Sequence, residues 1–111
     1  MLFRSGQRWP RLVVLLSKFS GTLRQRSEQD RAMSILRGKK IYNFEEVDGS
    51  EQLNKDRRNS LFGISGIRGR YPQFFLQKDQ NSILYLGDFE WIEYMNENGS
   101  LTNEEIGRAH V

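Results

Sequence analysis

The sequence predicts an α/β protein, with a four-stranded mixed sheet flanked by helices in the order β-α-β-α-β-β-α. Three observations carry this expectation. An aliphatic run at 12–16 is followed by a helical stretch and then by a second strand at 44–47, and two strands separated by a helix need a crossover that leaves them parallel. Two further apolar segments, at 73–76 and 82–86, are separated only by a polar turn, which makes them an antiparallel hairpin. Gly87 and Asp88 then end the last strand and open a final helix.

Each element has its own local reason. Residues 1–11 are basic, contain no acid and show no clean periodicity. Arginine without acid is the composition of a transit peptide, but the segment is short and runs straight into a strand, so it reads as an N-terminal extension or a misassigned start. Leu12, Val13, Val14, Leu15 and Leu16 are too few for a helix and show no polar alternation, which indicates a strand buried on both faces. Residues 19–22 turn the chain into a helix over 23–37, with Ala32, Ile35 and Leu36 on one side, Met33 adjoining them, and Gly38 as the expected C-terminal cap.

The second half follows the same logic. Residues 44–47 alternate apolar and polar, giving a strand with one exposed side, and Asp48 and Gly49 turn the chain. Ser50 is expected to cap a helix running through Leu53, Arg57 and Leu61, with Glu51 in the first turn where the dipole favours it and Gly63 as the stop. The hairpin turns through 78–81. The last helix, from Asp88, carries Trp91, Ile92 and Met95, with Phe89 stapling its first turn. The domain so defined spans 12–101, leaving 102–111 as a tail. Within that tail, 105–111 match the in-frame translation of a common sequencing-library adapter up to its stop codon, so they are set aside from the fold, and His110 with them.

Composition excludes most familiar chemistry. A chain of 111 residues with 37% hydrophobic, 12% aromatic and 28% charged residues has room for one modest core. No stretch approaches the roughly 20 apolar residues that span a bilayer, so no membrane association is expected. The net charge is +3, and its excess lies at the front, where Arg4, Arg8, Arg11, Lys18, Arg24 and Arg26 precede the first acid, Glu28. Beyond that point acids accompany the bases, and the clustered basic face of a nucleic-acid binder is missing. With no cysteine, the chain has no disulfide, thiolate nucleophile, zinc-thiolate site or iron-sulfur cluster of its own. The single histidine, His110, sits next to the end, which leaves no histidine base and no metal site to expect.

The order glycine-spaced loop, Tyr71-Pro72, hairpin, Gly87-Asp88 is similar to the second half of a thioredoxin-fold domain of the glutaredoxin type. Most closely, over roughly 12–101, the chain resembles the SH3-domain-binding glutamic-acid-rich protein family, a glutaredoxin-like branch without redox cysteines. The resemblance implies a three-layer thioredoxin-like fold, a cis bond between Tyr71 and Pro72, and a cytoplasmic protein. It also implies a ligand or partner groove made by Lys18, Ser20, Gly21, Tyr71, Pro72, Gly87 and Asp88. In glutaredoxins the residue before the proline pairs its backbone with glutathione, a position Tyr71 inherits. The start of the last helix holds a glutathione carboxylate on free amides, which Gly87 and Asp88 inherit, and Lys18 matches the lysine at the end of the first strand.

The departures from that family decide what is expected of the chemistry. Where glutaredoxins carry Cys-Pro-Tyr-Cys, this chain has Gly21, Thr22, Leu23 and Arg24, so the helix dipole has no thiol to act on and thiol exchange has no nucleophile. Ser20, with no base near it in sequence, reads as a capping or turn residue. Leu86 replaces a glycine, and Asp88 adds a negative charge that caps a helix but repels an anion. The segment 69–75 has one proline and no P-x-x-P spacing, and Arg57, Arg58, Arg68 and Arg70 read as solvated surface. The expectation is a non-catalytic adaptor binding a protein partner of unspecified identity, with no cofactor. The alternative is a glutathione- or small-thiol-binding protein with a vestigial redox role, and a third reading is a truncated fragment without function of its own. Oligomeric state is left open.

Overall fold

The computed structural model describes residues 9–108. The expectations for residues 1–8 and 109–111, His110 included, lie outside the described residues. Strand β1 (Arg11–Leu16) is central: it pairs in parallel with β2 (Phe44–Asp48) and antiparallel with β3 (Gln73–Asp79), and β4 (Ser82–Gly87) adds antiparallel to β3. The order is therefore β2-β1-β3-β4, a mixed four-stranded sheet.

The unbroken aliphatic run explains why β1 sits in the middle. Leu12, Val14 and Leu16 point to one face, where Ala32, Ile35 and Leu36 of helix α1 (Leu23–Gly38) and Ile92 of α3 (Phe89–Glu97) meet them together with Phe74 and Leu76. Val13 and Leu15 point to the other face, against Val47, Phe75, and Leu61 and Phe62 of α2 (Lys55–Ser65). Period-two alternation thus feeds a core on each side of the sheet. Each fully buried Leu or Phe contributes about 1.5–3 kcal/mol.

Helix ends depart from the expected residues, each for a physical reason. Gly38 is the last residue of α1 rather than its cap. The left-handed residue is Lys40, at φ 58°, and the Lys40 N–H donates to Arg37 O while the Ile41 N–H donates to Leu36 O, the paired bonds of a Schellman turn. Burial of Ile41 beside Leu36 fixes that turn more strongly than glycine's freedom one turn earlier. Ser50 does not cap α2, because its N–H and hydroxyl both donate to Asp48 Oδ1, at 3.0 and 2.6 Å. The segment Gln52–Asn54 forms a 3₁₀ turn, with Glu51 at its N-cap, and α2 starts only at Lys55. That helix runs through Gly63 and stops at Gly66, which adopts the left-handed conformation at φ 76°.

The hairpin turn is tighter than expected. Asp79 opposes Ser82, so only Gln80 and Asn81 connect β3 to β4. After α3 a short helix, α4 (Asn103–Arg108), places Ile106 in the first core beside Leu101. Because β1, β2 and β4 run one way and β3 the other, the end of β1, the end of β2, the start of β3 and the end of β4 share one end of the sheet.

Candidate functional site

At that end the chain between α2 and β3 meets the first turns of α1 and α3 in a groove of about 610 Å³. Tyr71, Pro72 and Asp88 line it, and the Tyr71–Pro72 bond is cis. A second cis bond, Trp9–Pro10, precedes β1. The loop 66–72 is held from below by Gln73, which is 0% exposed and whose Nε2 donates to Ile67 O at 2.7 Å and to Arg70 O at 2.9 Å. Two bonds from one buried amide fix the loop's path, because breaking either leaves a polar group unsatisfied.

Two backbone donors of the groove, those of Tyr71 and Glu90, are used by the chain's own side chains. The Tyr71 N–H donates to Gln25 Oε1 at 2.9 Å, and Gln25 Nε2 donates to Ser20 Oγ at 3.0 Å. Gln25 therefore ties the first turn of α1 to the residue before the cis-proline. At the start of α3, Asp88 Oδ1 accepts from the Glu90 N–H at 3.0 Å, and Oδ2 accepts from Arg70 Nη1 at 2.9 Å. A carboxylate thus already sits where a helix N-terminus attracts an anion. Around it, Arg24 pairs with Glu28 at 3.0 Å, Arg31 approaches Glu93 at 3.8 Å, and the Arg68 guanidinium lies 5.6 Å over the Phe62 ring.

The Tyr71 side chain turns away from the groove into the second core. Its ring lies 5.8 Å from that of Phe62, and its hydroxyl presses on Gly49, where a Cβ would stand 2.8 Å from the oxygen. Burial pushes the Tyr71 phenol above its ordinary value, the Arg58 charge opposes this, and the Asp48 charge adds to it.

The other expected residues are placed as follows. Ser20 is buried, and its hydroxyl bonds Thr22 and Gln25, neither of them a base, so it serves the turn; the cap of α1 is Thr22, which accepts from the Gln25 N–H at 3.2 Å. Gly21 is exposed, with nothing within 4 Å of an added Cβ. Lys18 lines a separate cleft of about 300 Å³ with Asp30 and Glu46, and its N–H donates to Asp48 Oδ1 at 3.1 Å. Gly87 has φ 155° and contacts Trp91 so closely that a Cβ would lie 2.8 Å from Trp91 Cγ. Its lack of a side chain seats Trp91 rather than a ligand.

Sequence reading missed Gln25, and it missed three apolar residues left in solvent at the same end of the sheet. Phe19 is 83% exposed, Leu23 72% and Leu53 94%. Their loops adjoin, since the Gly49 N–H donates to Leu16 O at 2.7 Å and the Lys18 N–H reaches Asp48. Among the described residues there is no group of three or more His, Cys, Asp or Glu able to hold a metal, and no helix is long and apolar enough to cross a membrane.

The architecture and the site define an α/β protein with a mixed four-stranded sheet flanked by helices, compatible with a thioredoxin-like fold. Among solved structures the chain is similar to actin interacting protein 5 (Aip5, wild type), at 21% identity and a TM-score of 0.55, over 81% of this chain and 85% of that one. That likeness speaks for the fold alone. No protein-family description and no curated protein sequence matches the chain.

Proposed function

We propose that this chain is a thioredoxin-like protein of glutaredoxin type, related to the SH3-domain-binding glutamic-acid-rich family, that works as a non-catalytic adaptor. Its partner site is the end of the sheet that carries both the exposed Phe19, Leu23 and Leu53 and the Tyr71–Pro72 groove. The observation that carries this reading is the contrast at that end: the Tyr71 and Glu90 N–H groups of the groove are bonded to Gln25 and Asp88, while three large apolar side chains at the same end of the sheet stand exposed. Apolar surface of that kind favours a protein partner, whose burial of it is the main source of affinity. Thiol exchange within this chain has no sulfur to use. Glutathione, the ligand of the alternative reading, would have to compete with Gln25 for the Tyr71 N–H and to place its carboxylate beside that of Asp88.

The test is quantitative affinity capture with the full chain against the Phe19→Ser and Leu53→Ser variants, both on exposed positions that leave the core intact. Actin, in the name of the structural neighbour, is the first defined partner to include. A partner retained by the parent chain and lost from both folded variants supports the reading. An unchanged set of partners contradicts it.

A further inference from the structure

The two edges of the sheet are built differently. The outer strand β2 carries Glu45, Glu46 and Asp48, whereas β4, the outer strand on the other side, reads Ser-Ile-Leu-Tyr-Leu-Gly with no charge and no proline. Charge and proline are the usual devices that keep an edge from pairing with another sheet. Among the described residues no strand covers the free side of β4, so alternate N–H and C=O groups of its backbone face outward. Leu84 of β4 itself is 38% exposed, and the two helices that pack on β4 carry further exposed apolar residues, Ile64 on α2 and Tyr94 on α3.

We propose that β4 is a homodimer interface, in which two copies of this chain pair β4 to β4, antiparallel about a two-fold axis. A second copy is the occupant this edge fits. In a two-fold antiparallel pair residue i faces residue j and j faces i, so residues at the axis meet their own counterparts, and a strand with charges of one sign near its centre sets like charges against each other. An uncharged strand escapes that penalty in either register. The same pairing covers the exposed Leu84 of each copy.

The ladder is short. Phe74 opposes Gly87 and Phe75 opposes Tyr85, so Leu86 is an extra residue in β4; a second shift falls in β3 between Gln77 and Asp79, and β4 itself is without an extra residue over 82–85. So small an interface forms a reversible dimer, with dissociation expected between about 1 μM and 1 mM.

Sedimentation velocity across that concentration range tests the proposal on the full chain. The parent chain is expected to move from monomer to twice the monomer mass, Leu84→Lys to stay monomeric, and Leu53→Lys, at the other apolar patch, to dimerise as the parent does. Hydrogen exchange of the unsubstituted chain at low and high concentration needs no variant, and it is expected to show at least tenfold slower exchange confined to amides in 82–85 at high concentration. A monomer throughout, a dimer that Leu84→Lys leaves intact, or protection elsewhere than β4 overturns the proposal. These outcomes are separate from partner capture at Phe19 and Leu53, so either reading can fail alone.

Discussion

Gln25 on the first turn of α1 accepts a hydrogen bond from the backbone N–H of Tyr71 at 2.9 Å, across 46 residues of sequence. The bond closes the backbone position beside the cis-proline and couples α1 to the loop ahead of β3. Gln25→Ala removes the acceptor and leaves Tyr71 N–H to water. The expected loss is about 1 kcal/mol of stability, the usual net worth of such a bond. Faster exchange of the Tyr71 amide, with the rest of the fold unchanged, is the measurement that checks it.

Two glycine replacements are expected to act in opposite directions. Gly87→Ala drives a Cβ against Trp91, whose own Cβ and Cγ cannot swing clear, and it should cost about 1–3 kcal/mol. Gly63→Ala lies in the middle of exposed α2 with nothing within 4 Å of the added carbon, so it should stabilise by about 0.5–1 kcal/mol through helix propensity. Denaturant unfolding of the two variants gives both signs in one experiment.

Asp48 contributes to the acid limb of stability. Burial pushes its carboxyl up, but the Ser50 hydroxyl, the Lys18 and Ser50 amides and the Lys18 charge outweigh burial and hold it below the ordinary carboxylate value. A carboxyl lowered in the folded state contributes stability that is present above its unfolded value of about 3.9 and is lost as pH falls through the folded value. Asp48→Asn keeps the side-chain shape and removes the charge. Its unfolding free energy should fall less steeply than the parent's below about pH 4, with the two curves separated by a constant offset at neutral pH.

The adapter-like segment 105–111 offers a separate check. A chain ended at Glu104 loses the burial of Ile106, which is 6% exposed, and should be destabilised by no more than about 1.5–3 kcal/mol. Thermal unfolding is expected to remain one cooperative transition, because the sheet, α1, α2 and α3 keep their own cores.

The parts of the fold that sequence made legible are those set by local pattern. The run at 12–16 had no polar position to spare for solvent, so a strand with both faces buried followed. The hairpin and Asp88 as the cap of α3 were equally plain, the latter because its carboxylate reaches the Glu90 N–H. What stayed hidden depends on contacts distant in sequence or on competition between neighbours. Ser50 looked like a cap until Asp48 took both of its donors, and Leu53, at helical spacing from Arg57, gave no sign that it would stand 94% exposed. Lys40 ends α1 because Ile41 is buried, which spacing alone does not reveal.

The candidate site was expected from the family resemblance rather than from local pattern. Of the residues so grouped, Tyr71, Pro72 and Asp88 line one groove. Lys18 faces another cleft, since its N–H is drawn to Asp48 on the β2 side. Gln25 carries no local signal, because a polar residue on an amphipathic helix looks the same whether it meets water or a distant amide.

The measurement that bears most directly on the adaptor reading is a titration of the isotope-labelled chain with reduced glutathione, following the amides of Lys18, Tyr71, Gly87 and Asp88. A groove whose donors are held by Gln25 and Asp88 predicts no saturable shift at these amides up to millimolar ligand. Saturable shifts at Tyr71 and Asp88 would contradict that account and establish a small-thiol site in its place.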